Sequence, residues 1–303
     1  MRDRMARSPK QLARDLVERA LELADDRRRL DERTSPATKI SQRSLFLEYR
    51  RLATAGDRLP SVWETGYRVF SQFDEDGVIL FCLSVAGTGT RRFVDIGAGD
   101  GVIASNTANL ALNLGFWGLF IDAGATEVER GRRFYATHPD TRERPPVFLR
   151  EFVTRENVNE VVRGAGFEGE IDFLSIDIDG NDYWILDAVE CVRPRLVCIE
   201  THTELGFDDF VAPYDPDFDW RRAPPGTQIG ASPLATTRLA ERLGYRLVGA
   251  NLYGFNTLYL RADLVPKEVL PSIELDELFR HGSYRSDPIR PGNSNPSSDE
   301  GAR

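Results

Sequence analysis

The stretch "RRFVDIGAGDGVIASNTANL", residues 91–110, places an apolar run, three glycines and two aspartates directly before a segment of helical spacing. A strand is expected to end at Asp95 or Ile96, with a helix beginning near Ser105 or Asn106. Between them, Gly97, Gly99 and Gly101 occupy alternate positions, so the backbone can turn sharply and approach a ligand without Cβ atoms in the way. The helix start adds free N–H groups. A dinucleotide-binding turn requires G-x-G-x-x-G. Counted from Gly97, the third glycine position is Val102; counted from Gly99, the middle glycine is missing. This argues against a nicotinamide-dependent oxidoreductase.

Outward from this turn, short apolar runs alternate with helix-like segments. "RFVDIG", "WGLFID", "VFLREFV", "IDFLSIDID", "RLVCIE", "YRLVGAN" and "NTLYLRA" have the length and character of strands covered on both faces. The segments between them carry helical spacing. Gly115 and Gly244 suit positions just past helix ends, and Ser232 followed by Pro233 suits a helix start. The alternation predicts an α/β fold, an open and mostly parallel sheet with helices on both faces. Only "NLYGF" separates the last two strands, too short for a parallel crossover, so they should pair antiparallel. Ligands of such sheets bind beyond the carboxyl ends of the strands.

Composition limits the function classes. The chain has 303 residues, 41% hydrophobic and 29% charged, and a net charge of −9, which suits a globular protein and disfavours a bulk electrostatic grip on nucleic acid. No apolar run approaches the roughly 20 residues of a membrane span, and no signal-peptide core follows the arginine-rich start, so a cytoplasmic protein is expected. Cys82, Cys191 and Cys198 lie in apolar surroundings without ligand-like spacing and read as buried thiols. Residues 8–31 place Leu12, Leu16, Ala20, Leu23 and Ala24 on one helical stripe, a helix expected to pack on the main domain or on a second copy of the chain. From about residue 283 the chain is rich in Pro, Gly, Ser and charge and is expected to be disordered.

The next strand, "WGLFIDAG", delivers Asp122 about two dozen residues after the glycine turn, where a carboxylate can accept both hydroxyls of a ribose. Glycine turn and acid together point to a nucleoside-bearing cofactor. "FVDIGAGDG" followed by "GLFIDAG" resembles the first two motifs of class I S-adenosylmethionine-dependent methyltransferases. The wider pattern, with "SQFDEDGVI" before the first strand and "IDFLSIDIDGNDYWIL", "RLVCIE" and "GASPLATTRLAERLGYRLVGANLYGFNTLYLRADL" after it, resembles the FkbM-like family over residues 67–264. The resemblance implies a Rossmann-like, seven-stranded sheet with a reversed last strand, and methyl transfer, usually to oxygen, on small molecules or saccharides. It leaves out residues 1–66, read as an N-terminal helical extension, and residues 265–303, read as a C-terminal extension. By position, Gly97, Ala98 and Gly99 would lie against the methionine portion of S-adenosylmethionine, and Asp122 would bind the ribose. Asp95 would orient the turn or meet the methionine ammonium, and Glu75 would close over the cofactor. One departure is Asp179, which stands where the family often carries glutamate and shortens the carboxylate's reach.

"SIDIDGND" gathers Asp177, Asp179 and Asp182 at the ligand side of the sheet, and strand alternation would put Asp177 and Asp179 on one side. The neighbouring run ends in Glu200, with His202 two residues later. A carboxylate here could take a proton from a substrate hydroxyl, or Asp177, Asp179 and Glu200 could bind a divalent cation, for which oxygen ligands suit Mg²⁺ better than Zn²⁺. His202 is the other candidate base. Residues 201–230, with Phe207, Phe210, Tyr214, Phe218 and Trp220, form a candidate acceptor lid suited to a sugar or polyol. The rival function is a non-catalytic cofactor-binding or assembly protein on the same fold, its N-terminal helix docking a partner; under either reading that helix is a candidate contact for a homo-oligomer.

Overall fold

The computed structural model describes residues 29–224 and 226–281. The N-terminal stripe through Ala24 and the tail from about 283 lie outside the described residues. Seven strands form a single sheet in the order β3-β2-β1-β4-β5-β7-β6. They are β1 (Arg92–Ile96), β2 (Trp117–Asp122), β3 (Val147–Arg150), β4 (Gly169–Ile176), β5 (Val192–Glu200), β6 (Tyr245–Ala250) and β7 (Asn256–Arg261). β1 pairs parallel with β2 and β4, whereas β7 runs antiparallel to both β5 and β6. The short link before Asn256 permits only that reversal. The open, mostly parallel sheet expected from the alternation of runs is present, and so is the Rossmann-like, seven-stranded form that the resemblance implied, with the reversed last strand inserted between β5 and β6.

The strands are apolar on both faces because helices cover both. Phe93, Val94 and Ile96 of β1 and Phe173 and Leu174 of β4 are buried, as are all three cysteines. α1 (Pro36–Ala55) starts where Ser35 accepts the Thr38 N–H at 3.1 Å, with proline in its first turn. It packs against α2 (Glu75–Ala86), which is buried nearly all round. α3 (Ala108–Leu112) is shorter than expected: Ser105 Oγ accepts the Ala108 N–H, so residues 97–107 remain an irregular loop. α4 (Ala125–Thr137), α5 (Val158–Gly164) and α6 (Asp182–Ala188) follow β2, β3 and β4 in turn. α7 (Pro233–Arg242) begins as the sequence indicates, with Ser232 accepting the Ala235 N–H at 3.1 Å. α8 (Leu275–His281) returns to the domain, where Glu277 accepts the Trp63 indole N–H at 2.7 Å. Among the described residues, no helix is long and apolar enough to cross a membrane.

At the amino ends of the strands, Asp172 of β4 closes the entry to β1. Its fully buried carboxylate accepts the backbone N–H groups of Gly89 and Arg91, and Arg91 is held at φ +52°. The same carboxylate lies 3.7 Å from the Arg195 guanidinium.

Candidate active site

At the carboxyl end of β1 the chain reverses through Gly97, whose φ is +87°. A Cβ there would lie 1.7 Å from the carbonyl oxygen of Asp177, because the end of β4 passes directly against the turn. The N–H groups of Gly97 and Ala98 both reach the Ile121 carbonyl of β2. Gly99, at φ +56°, differs: its Cβ direction is open, with no atom within 4 Å. Its N–H donates to Asp122 Oδ2 at 2.8 Å, and Asp122 Oδ1 accepts from Gly124 at 2.7 Å. The carboxylate expected to meet a ribose therefore also ties the glycine turn to the start of α4. Each oxygen keeps a lone pair beyond that backbone bond.

Asp95 lies beneath the turn, 4% exposed, and accepts from Thr107 Oγ at 2.5 Å. Burial pushes its carboxyl up to about 7, against the lowering effect of hydrogen bonds from Thr107 and Ser175. Through Thr107, Asp95 is tied to the start of α3. Glu75, at the start of α2, is fully enclosed. Its carboxylate accepts from the side-chain amides of Asn251 and Asn256 at 2.8 and 3.0 Å, and from the Phe73 N–H at 2.8 Å. It thereby joins the "SQFDEDG" loop to the β6–β7 turn. Asp76 gathers the N–H groups of Val69, Phe70 and Ser71 on one oxygen, and Ser71 bridges to Ala104 beside the glycine loop.

Beyond β4, one carboxylate oxygen each of Asp177, Asp179 and Glu200 lies within 4.8 Å of the others. The route differs from the expected strand alternation, because β4 ends at Ile176 and Asp179 has a left-handed φ of +57°. A turn rather than a pleat brings the two aspartates together, a conformation that aspartate tolerates better than most residues. Asp182 does not join them: its two oxygens accept the N–H groups of Ile178 and Gly180 and hold that turn. Burial, then the neighbouring acids, raise the Asp177 and Glu200 carboxyls well above the usual range. Burial and Asp182 also raise Asp179, while His202 and Arg221 oppose the shift.

His202 follows Glu200 with its ring against Gly230. Its Nδ1 is 2.7 Å from Glu204 Oε1, while the buried Nε2 has no hydrogen-bond partner among the described residues. Neither Glu204 nor Gly230 was singled out in the sequence, although a carboxylate two residues after a histidine was a visible signal. The connection expected to act as a lid is seated on the domain. The Phe218 ring covers Gly180, Asn181 Nδ2 donates to the Asp215 carbonyl at 2.8 Å, and Trp184 Nε1 donates to the Ala212 carbonyl at 2.9 Å. Phe207 turns away to meet Phe279 edge-on at 4.6 Å, and Tyr214 faces Trp184 and Glu156, whereas Phe218 lies against the acidic turn.

Two grooves lie elsewhere. One of about 510 Å³ runs between the end of α1 and residues 268–273; the other, of about 420 Å³, opens at the amino ends of the strands. Neither includes the glycine turn or the acidic trio, so chemistry rather than cavity size marks the candidate site.

No family model matches the sequence, and no curated protein matches it. Among solved structures, the chain is similar to a magnesium protoporphyrin IX methyltransferase from Synechocystis PCC 6803 with bound S-adenosylmethionine, at 12% identity over 62% of this chain and 78% of that one, TM-score 0.38. It is similar to an O-methyltransferase from Bacillus cereus in complex with S-adenosylhomocysteine, at 14% identity over 72% and 89%, TM-score 0.40. A third is an O-methyltransferase family protein from Burkholderia thailandensis, at 14% identity over 76% and 75%, TM-score 0.35. Likeness at this level carries no argument about chemistry, and the fold rests on the observed sheet order.

Proposed function

We propose that the chain is an S-adenosylmethionine-dependent methyltransferase of the FkbM-like type, its catalytic unit spanning residues 67–264, which methylates a hydroxyl oxygen of a small molecule or saccharide. The observation that carries this reading is the Gly99 N–H bonded to Asp122, beside a Cβ direction that is open to at least 4 Å. Backbone, carboxylate and space come together where a nucleoside-bearing ligand needs them.

When bound, the cofactor supplies a methyl group already activated on sulfonium, so alignment of the acceptor oxygen provides much of the rate. Asp122 would accept the ribose hydroxyls on the lone pairs that Gly99 and Gly124 leave unused. The backbone of Gly97, Ala98 and Gly99 would receive the methionine portion, with Asp95 orienting the turn from beneath or meeting the methionine ammonium. Glu75, bonded to Asn251 and Asn256, would hold the wall of the site in place. Asp177, Asp179 or His202 would take the proton from the acceptor hydroxyl. The raised proton affinity of Asp177 and the partnerless Nε2 of His202 both suit that task. The oxygen-only trio Asp177, Asp179 and Glu200 also fits a hard divalent cation such as Mg²⁺, which would relieve their repulsion and acidify a bound hydroxyl.

Calorimetric titration with S-adenosylhomocysteine tests the reading. Binding should weaken at least tenfold in Asp122→Ala and survive in Asp177→Asn, while labelled methyl transfer to a panel of hydroxylated metabolites should be lost in the latter. No binding at near-millimolar ligand would sink the proposal. Transfer unchanged by chelator would remove the cation from it.

A further inference from the structure

The groove of about 420 Å³ at the amino ends of the strands has a floor of Phe46, Leu114 and Phe116, and a rim of Arg43, Arg50 and Arg91. Along its border α1 presents a seam: Ile40, Arg43, Leu47 and Arg50 follow one another at steps of three and four residues, on one helix face. Ile40 is 66% exposed and Leu47 64%. No acid among the described residues pairs with these three arginines; Arg43 donates only to the Asn113 carbonyl, at 3.1 Å. An apolar seam framed by cations with no acidic partner among the described residues suits an acidic amphipathic helix.

We propose that the occupant is the chain's own segment 12–26, "LARDLVERALELADD", folded back along α1 as the first arm of a helical hairpin. Three observations select it. The described chain begins beside the groove: Leu30 packs on the core, and the Arg33 carbonyl accepts from Asn113 Nδ2 at 3.0 Å, next to Leu114 and Gly115 of the groove. Thr34 and Ser35 alone separate the helical residues 29–33 from α1, and a two-residue link makes consecutive helices antiparallel neighbours. An antiparallel register turning at those residues sets Asp26 beside Arg43, Leu23 beside Leu47 and Glu18 beside Arg50. Spacing agrees as well. Ile40 and Leu47, Arg43 and Arg50, Leu16 and Leu23, and Asp15 and Glu22 are each seven residues apart, a rise of about 10 Å in any helix. The segment holds five acids against two arginines, so its charge complements the rim.

The test uses the full chain carrying Leu47→Cys, since the three native cysteines are buried. Maleimide labelling of this site should be at least tenfold slower than in the same protein carrying Leu16→Asp and Leu23→Asp. Asp26→Arg should release the protection, and adding Arg43→Glu should restore it. Equal labelling in the intact and Leu16→Asp/Leu23→Asp chains overturns the proposal. Protection that grows with protein concentration assigns the groove to a second copy, and protection that needs anionic vesicles assigns it to a lipid surface; either overturns occupancy by the chain's own segment. Far-UV circular dichroism and the urea midpoint of each variant report whether the domain itself is intact.

Discussion

The two ends of the sheet handle charge in opposite ways. At the amino ends, unlike groups meet: Asp172 lies near Arg195, and Glu170 pairs with Arg261 at 2.8 Å. Arginines there also use backbone carbonyls, as Arg195 does with Ala86 and Gly87, or stack on rings, as Arg92 does on Phe167 at 4.3 Å. At the carboxyl ends, like groups meet. Asp177, Asp179 and Glu200 share one small volume, with Asp95 enclosed nearby and the buried Nε2 of His202 left over. The first arrangement stabilises a fold; the second leaves repulsion that a cation, a proton or a ligand would relieve.

Gly97→Ala tests the tightest point of the carboxyl end and should have the largest effect. Its Cβ would collide with the Asp177 backbone at a left-handed φ, so a loss of roughly 3 kcal/mol or more is expected, read as a lowered urea midpoint. Asp172→Ala probes the other end. It leaves the Gly89 and Arg91 N–H groups without their acceptor and should cost about 2–3 kcal/mol, while affinity for S-adenosylhomocysteine in the folded fraction stays within twofold of the parent. A binding loss at this position would break the division between the two ends.

The pH dependence sharpens the same contrast. Asp95 in the fold holds its proton up to about pH 7, above the ordinary aspartate value in the unfolded chain. Its contribution is therefore fully present at low pH and is lost as pH rises from about 4 through 7. The raised carboxyls of Asp177 and Glu200 act in the same direction. The urea midpoint should fall across that window, and Asp95→Asn should flatten the fall. The smallest effect is expected from Gly99→Ala, where only the left-handed backbone resists, at a cost of about 1 kcal/mol. That variant should remain folded yet weaken S-adenosylhomocysteine binding, because its new methyl group fills the open side of the turn.

The sheet was legible because its strands are covered on both faces, so each wrote a short apolar run, and because "NLYGF" leaves room only for a hairpin. The acidic trio was legible as composition, three carboxylates at the ends of adjacent runs. What the sequence concealed was the sorting of those acids. Asp182 and Asp179 look alike in "DIDGND", but one closes a turn on two N–H groups and the other projects from a left-handed residue. Likewise the three acids of "FDEDG" separate only in space: Asp74 accepts from Leu252, Glu75 from Asn251 and Asn256, and Asp76 from residues 69–71. Backbone N–H groups carry no residue identity, so their partners cannot be read from a string of letters. The aromatics of residues 201–230 likewise separate only in space: Phe207 meets Phe279, Tyr214 faces Trp184, and Phe218 covers Gly180.

The insertion of β7 between β5 and β6 also dictates an order of events during synthesis. The sixth strand to leave the ribosome has no partner in the sheet until the seventh has emerged. A nascent chain that stops before Asn256 therefore exposes the edge of β5 from Leu196 to Glu200. That edge includes Glu200 of the acidic trio, so the last strand to arrive both seals the sheet against misplaced pairing and completes the surroundings of that acid.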